Sequence, residues 1–234
     1  MPEIIYEDNH LIIAVKPPNQ LTQGDETGDL ALLDELKGYI KQKYNKPGEV
    51  FLGLVHRLDR PVGGLVAFAR TSKAASRLSE QLRSHAMHRD YLAVCENGDT
   101  LPDSGTLHDW LLKDDASGSV RAVKAGMPGA QEAKLHFTVL DRKGGTALVH
   151  VVLETGRKHQ IRVQMMHSGH SLVYDMRYGH GERGKNIALW GAMLTLSHPT
   201  QKQPMTFVSS PRGDAFAPYT QTIDRFLSEK GESI

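Results

Sequence analysis

"LVHRLDRPVGGLVAFART", residues 54–71, decides how the rest of the chain is read. It carries an apolar stretch into Arg57-Leu58-Asp59-Arg60, turns through Pro61 and the pair Gly63-Gly64, and resumes as the apolar run "GLVAFART". That run is short, apolar and bounded by turn formers, which makes it a buried-strand candidate. "TSKAASRLSEQLRSH" follows at once, with a Ser/Thr start and Ala75, Leu78 and Leu82 on one stripe, so a strand feeds directly into a capped helix. Between the two apolar runs, a carboxylate flanked by guanidinium groups is a persistent negative charge. Such a group suits either a surface ion pair or a nucleophile kept ionised at neutral pH.

Outward from this stretch, "IIYEDNHLIIAVKPP" reads as two short strands around Glu7-Asp8-Asn9, closed by Pro17-Pro18. "LALLDELKGYIKQKY" places Leu32, Leu33, Leu36, Tyr39 and Ile40 at helical spacing. Tyr91 to Val94 returns as a strand. Residues 97–131 are rich in turn formers around short extended pieces such as "SVRAVKA", and read as a hairpin-bearing excursion between two halves. "AKLHFTVL" and "TALVHVVLET" pair across "DRKGG"; a helix is expected from about Arg157 to His167, then strands in "NIALWGAMLTLSHP" and "PMTFVSS". Strands outnumber helices and mostly follow one another. The expected class is α+β, a mixed, largely antiparallel sheet with flanking helices around a central cleft.

The 234 residues suit one domain with two lobes sharing a sheet. Bulk charge names no partner, since 28 basic residues face 27 acidic ones, so only local clustering of cations is informative. The single Cys95 rules out an intramolecular disulfide framework and points to a reducing compartment; within "YLAVCE" it reads as a small buried apolar residue. The N-terminus has acidic residues where a signal peptide would be basic, and no apolar run approaches the roughly 20 residues that span a bilayer. A cytoplasmic protein without a membrane partner is expected.

Three stretches carry an unusual polar load: His56 to Arg60, "HRDYLAV" from His88 to Val94, and "LETGRKHQIRVQMMHSGH" from Leu153 to His170. In the third, Thr155 and Gly156 look like a helix entry, with Arg157, Lys158, His159 and Arg162 in the first two turns. A helix N-terminus with such a cationic cluster would suit phosphate; a solvated helix face is the other reading.

These stretches, in this order, resemble the RluA-like family of RNA pseudouridine synthases. "IIYEDNHLIIAVKPP", "RYG", "LTLSHP" and "MTF" resemble it too, so the likeness covers nearly the whole chain. It implies isomerisation of uridine within an RNA: the bond from the ribose anomeric carbon to ring nitrogen 1 breaks, the base turns, and carbon 5 is joined instead. No cofactor, metal or redox change is implied. Asp59 matches the catalytic aspartate, as nucleophile at the anomeric carbon or as base at its neighbour. Arg162 matches the arginine that pairs with that aspartate, keeping it charged and oriented, and Tyr91 the tyrosine that stacks on the target base. Arg57 matches a position where some members insert an arginine into the RNA, filling the space left by an everted base. Arg60, Arg157, Lys158 and His159 would be RNA contacts, chiefly to phosphate.

The chain departs from the family in having Gly63 where a small hydroxyl residue is common, Tyr174 before Asp175 where glycine is frequent, and Trp190-Gly191 where His-Ala is common. The pattern begins by Ile4, so no separate N-terminal RNA-binding domain is expected. RNA is the implied partner, transfer or ribosomal, with no DNA and a monomeric enzyme. Twelve histidines raise a metal site, with His159, His167 and His170 as candidates and His56 beside them if the motifs converge, but no H-E-x-x-H or cysteine pair accompanies them. His85 and His88 fit a helix end, and Met165, Met166 and Met193 fit core filling. Two other function classes stay open. One is a catalytically silent RNA-binding module; the other is a glycosidic-bond hydrolase, for which Glu154 is the one obvious second carboxylate.

Overall fold

A computed structural model describes residues 1–231, which divide into two compact units. The first comprises residues 1–89, 191–210 and those from Leu227 onward. It contains β1 (Glu3–Glu7), β2 (Leu11–Lys16), α1 (Leu32–Lys43), β3 (Gly53–Leu54), β4 (Gly63–Ala69) and α2 (Ser72–Arg83). Strand β2 is buried along its whole length and pairs antiparallel with β1 on one side and β4 on the other, from Leu11↔Ala69 to Lys16↔Gly64. Apart from Lys16 at the end of β2, both central strands are continuous apolar runs, as burial on two faces requires. The Asp8 carboxylate closes the β1–β2 turn by accepting the N–H groups of His10 and Leu11 at 2.7 and 2.8 Å. Thr71 caps α2 by accepting the Ala74 N–H at 3.1 Å.

The first unit also takes in β10 (Leu189–Ser197) from Gly191 onward and β11 (Pro204–Val208), paired antiparallel from Met193↔Val208 to Ser197↔Pro204. Gly64 lies directly against the main chain of Gly191. Gly64 has φ +128°, and a Cβ there would lie 2.4 Å from the Gly191 main chain, so no side chain fits. A Cβ on Gly191 would meet nothing closer than 3.6 Å, so that glycine is not demanded by space.

The second unit, residues 90–190 and 211–226, holds β5 (His88–Cys95) from Asp90, β6 (Ser104–Lys113), β7 (Val120–Val123), β8 (Gln131–Lys143), β9 (Thr146–Leu153) and α3 (Gln160–His167). Its strands run in the order β5-β9-β8-β6-β7, each pair antiparallel. The β8–β9 hairpin turns through Gly144-Gly145, both at positive φ, as a two-residue turn of matching twist requires. Tyr91, Val151 and Phe137 face one another across β5, β9 and β8 on the buried side of the sheet.

The mixed, mostly antiparallel sheet with four helices is the α+β class the sequence implied. Two details differ. Residues 104–113 are not short excursion pieces but a full strand, β6, laid along β8 from Ser104↔Thr138 to Leu111↔Gln131. The helix expected from Arg157 starts at Gln160, after α3's N-cap His159 takes a left-handed conformation at φ +54°. The helix α4 (Thr220–Gly231) lies where the sequence reading assigned nothing. Among the described residues no helix is long and apolar enough to cross a membrane.

Candidate active site

In the first unit, Asp59 sits half-buried on the loop between β3 and β4. The loop is fixed from three sides. Its Leu58 side chain is buried, and the Thr22 hydroxyl both donates to the Leu58 carbonyl at 2.9 Å and accepts its N–H at 3.3 Å. The Asp59 carbonyl accepts the Val62 N–H at 3.0 Å, tightening the turn through Arg60-Pro61. Behind it lies Lys16, fully buried, whose ammonium donates to the carbonyls of Pro17, Gln20 and Arg60 at 3.0, 2.7 and 3.0 Å. Burial pushes the Lys16 pKa down to about 7; the negative charge of Asp59 opposes that shift and the Arg60 cation adds to it. The three carbonyl bonds also favour the charged form.

His56, three residues before Asp59, is buried, and its Nε2 accepts the Ala67 N–H at 3.1 Å. The proton is thereby assigned to Nδ1, a buried atom without a hydrogen-bond partner among the described residues. Burial, and after it the nearby Arg89, pushes the His56 pKa down to about 3, so the ring is neutral at ordinary pH. Arg57 and Arg60 are exposed. Arg60 pairs with Asp29, also exposed, a surface contact of little energetic weight that another anion can replace.

In the second unit, Tyr91 is buried in β5 opposite Val151. Arg162 lies on α3 and is 5% exposed, so it is not on a solvated helix face, one of the two readings left open for its cluster. Its guanidinium makes a two-point contact with Asp175, Nε to Oδ2 at 2.8 Å and Nη2 to Oδ1 at 2.7 Å. Burial pushes the Asp175 carboxyl up, but Arg162 and the N–H groups of Arg177 and Tyr178 outweigh it and hold the group below its usual range. The Tyr178 ring covers the guanidinium, 5.0 Å from ring centre to Cζ.

The residues expected at a helix entry precede α3 instead. Gln160, nearly fully buried, accepts the Arg157 N–H at 2.9 Å and the Thr155 hydroxyl at 2.8 Å, and donates to the Lys134 carbonyl at 3.1 Å. Its side-chain amide thus does the work of the missing first helical turn. Arg157 reaches the Glu132 carbonyl at 2.9 Å and stays exposed, as does Lys158. His159 meets the Tyr178 hydroxyl through Nδ1 at 2.7 Å.

The sequence reading missed Lys16, Gln160 and Tyr178 as parts of these arrangements, and gave Asp175 no role. Asp175 and Tyr178 were visible in "YDMRYG" only as a resemblance. Cys95 is buried, with its thiol pushed up to about 11 by burial, and Met165 is core. Among the described residues no group of three or more His, Cys, Asp or Glu side chains could hold a metal ion.

Residues 10–167 match the family model described as RNA pseudouridylate synthase, a span containing Asp59, Tyr91 and Arg162. The chain belongs to the RNA pseudouridylate synthase family. It is 36% identical over 201 residues to a Bacillus subtilis (strain 168) protein named uncharacterized RNA pseudouridine synthase YhcT, covering 84% of this chain and 64% of that one. It is 31% identical over 206 residues to ribosomal large subunit pseudouridine synthase C of Escherichia coli (strain K12), covering 84% of this chain and 62% of the other. The chain therefore spans just under two thirds of the length of these relatives. The solved structure of human RNA pseudouridylate synthase domain containing 4 shares the fold, with a TM-score of 0.75 at 21% identity over 95% of this chain and 92% of that one.

Proposed function

We propose that the protein isomerises uridine to pseudouridine within RNA. The observation that carries this reading is the family match over residues 10–167, which holds Asp59, Tyr91 and Arg162 in the family's motif order. In the reaction, the bond from the ribose anomeric carbon to nitrogen 1 breaks and one to carbon 5 forms. Carbon 5 gives up its hydrogen as a proton, nitrogen 1 takes one up, and no electrons are gained or lost.

Asp59 is the nucleophile or base at the ribose, Arg162 orients it, and Tyr91 stacks on the turned base. Arg57 takes the place of the everted nucleotide. Arg60, Arg157, Lys158 and His159 hold the RNA backbone; the exposure of Arg57, Arg60, Arg157 and Lys158 is consistent with that role. The hydrolase alternative has lost support. Glu154, its second carboxylate, is engaged by His136 and by Lys134, contacts that lower its pKa and make it a poor general acid.

Because relatives are named for the large ribosomal subunit, we assign ribosomal rather than transfer RNA as substrate. Residues 1–234 would act as one cytoplasmic, monomeric catalytic domain. The test is release of tritium from ribosomal RNA transcripts labelled at uracil carbon 5. Wild type should release it, and Asp59→Asn should lower the rate by at least about a thousandfold while RNA retention on a filter persists. Undiminished release by Asp59→Asn would remove the assigned nucleophile, and no release by wild type from any RNA would favour a silent binding module.

A further inference from the structure

We propose that Tyr178 is a positioning residue that couples the β6–β7 hairpin to the guanidinium of Arg162. The inference rests on the reading that Arg162 serves the reaction, and lies wholly within the second unit.

Arg162 is held along one edge by Asp175 and on one face by the Tyr178 ring. The two supports are not independent. Asp175 Oδ1, which accepts from Nη2 of Arg162, also accepts the N–H groups of Arg177 at 2.9 Å and Tyr178 at 3.1 Å. One carboxylate therefore grips the cation and shapes the turn that presents the ring to it. Tyr174, one residue earlier, has φ +63°, so the chain enters this turn in a left-handed conformation.

The other end of Tyr178 reaches the hairpin. Its hydroxyl accepts the N–H of Val120, the first residue of β7, at 2.9 Å, which leaves the hydroxyl proton for Nδ1 of His159. The ring packs against the buried cluster of Leu111, Val120, Ala133 and Val163. Arg177 adds a bond to the Ser117 carbonyl at 3.4 Å in the hairpin turn. The hairpin itself presents exposed Arg121 and Lys124. A phosphate chain drawn to those cations would load β7, and the Val120–Tyr178 bond carries that load to the ring lying on Arg162.

Two substitutions separate the two ends of the tyrosine. Tyr178→Phe keeps the ring over Arg162 and removes the hydroxyl's bonds to Val120 and His159; Tyr178→Leu removes the ring as well. In single-turnover tritium release from a ribosomal RNA transcript, Tyr178→Phe should slow the step about tenfold and Tyr178→Leu about a hundredfold. Filter retention of the same transcript should stay within about twofold for each. A merely structural residue would lower rate and retention together, and that outcome overturns the proposal, as does full rate in Tyr178→Phe.

The coupling is also read without RNA, by hydrogen exchange of the Val120 amide and the Arg162 Nε–H. Both should lose protection in Tyr178→Phe. Loss at Val120 with Arg162 unchanged overturns the coupling. Absence of isomerisation in wild type, or full activity in Arg162→Lys, overturns the functional reading and leaves this exchange measurement to decide the linkage.

Discussion

Two buried cations, one in each unit, are held in opposite ways. Lys16 points all three of its N–H bonds at main-chain carbonyls, with no carboxylate bonded to it among the described residues, and the negative charge of Asp59 opposes the fall of its pKa. Arg162 is clasped by Asp175, a contact that is nearly neutral overall but fixed in two dimensions by the fork and in the third by the Tyr178 ring. A carbonyl cage leaves charge to act at a distance; a carboxylate fork spends the charge on orientation. The loop bearing Asp59 thus gains a local field, and the helix bearing Arg162 gains a fixed direction.

The contrast breaks most sharply at Asp175. Replacing it by leucine removes both bonds of the fork and its negative charge from beside a buried guanidinium and should destabilise the protein by about 4 kcal/mol, read from urea midpoints. Lys16→Met should cost less, about 3 kcal/mol, because it removes bonds to three neutral carbonyls rather than breaking a buried contact between opposite charges. Equal losses would mean that the two cations are held alike.

Acid sharpens the same contrast more gently. The folded-state pKa of His56, about 3, lies below its unfolded value of 6.5, so the unfolded chain takes the proton first. Its contribution is complete above about pH 6.5 and is lost as pH falls toward 3. Asp175 is also lowered, from 3.8, so its contribution is present above that value and lost only below it. At a pH between 3.8 and 6.5, amide exchange should quicken at Ala67, which donates to His56, before it does at Tyr178, which donates to Asp175. Simultaneous loss would show that the two regions share one acid-sensitive step.

The loop around Asp59 was legible because everything that shapes it is local: an apolar run, a proline, a glycine pair and a second apolar run. The neighbour that forces Gly64 was not, since Gly191 is more than a hundred residues away in sequence. Strand β6 escaped notice because Asp109 interrupts its alternation on the inward side, where it accepts from Gln164 and meets His167. Periodicity counts such a residue as outward-facing; only the tertiary partners explain it. The contact that buries Arg162 was hidden for a related reason. Its partner Asp175 follows thirteen residues later, beyond any helical spacing, and the side chain of Gln160 displaces the helix start that its neighbours suggested.

The segment 23–30 is exposed throughout, yet its base is stapled by main-chain bonds from Leu32 to Leu21 and from Leu33 to Thr22, at 2.9 and 3.1 Å. Cys95, the one cysteine, is buried with its thiol shifted to about 11 and will not compete for a maleimide at neutral pH. A cysteine introduced at Glu26 would accordingly carry a fluorophore alone, at an exposed tip on a fixed stem, giving a single-colour reporter of RNA arrival.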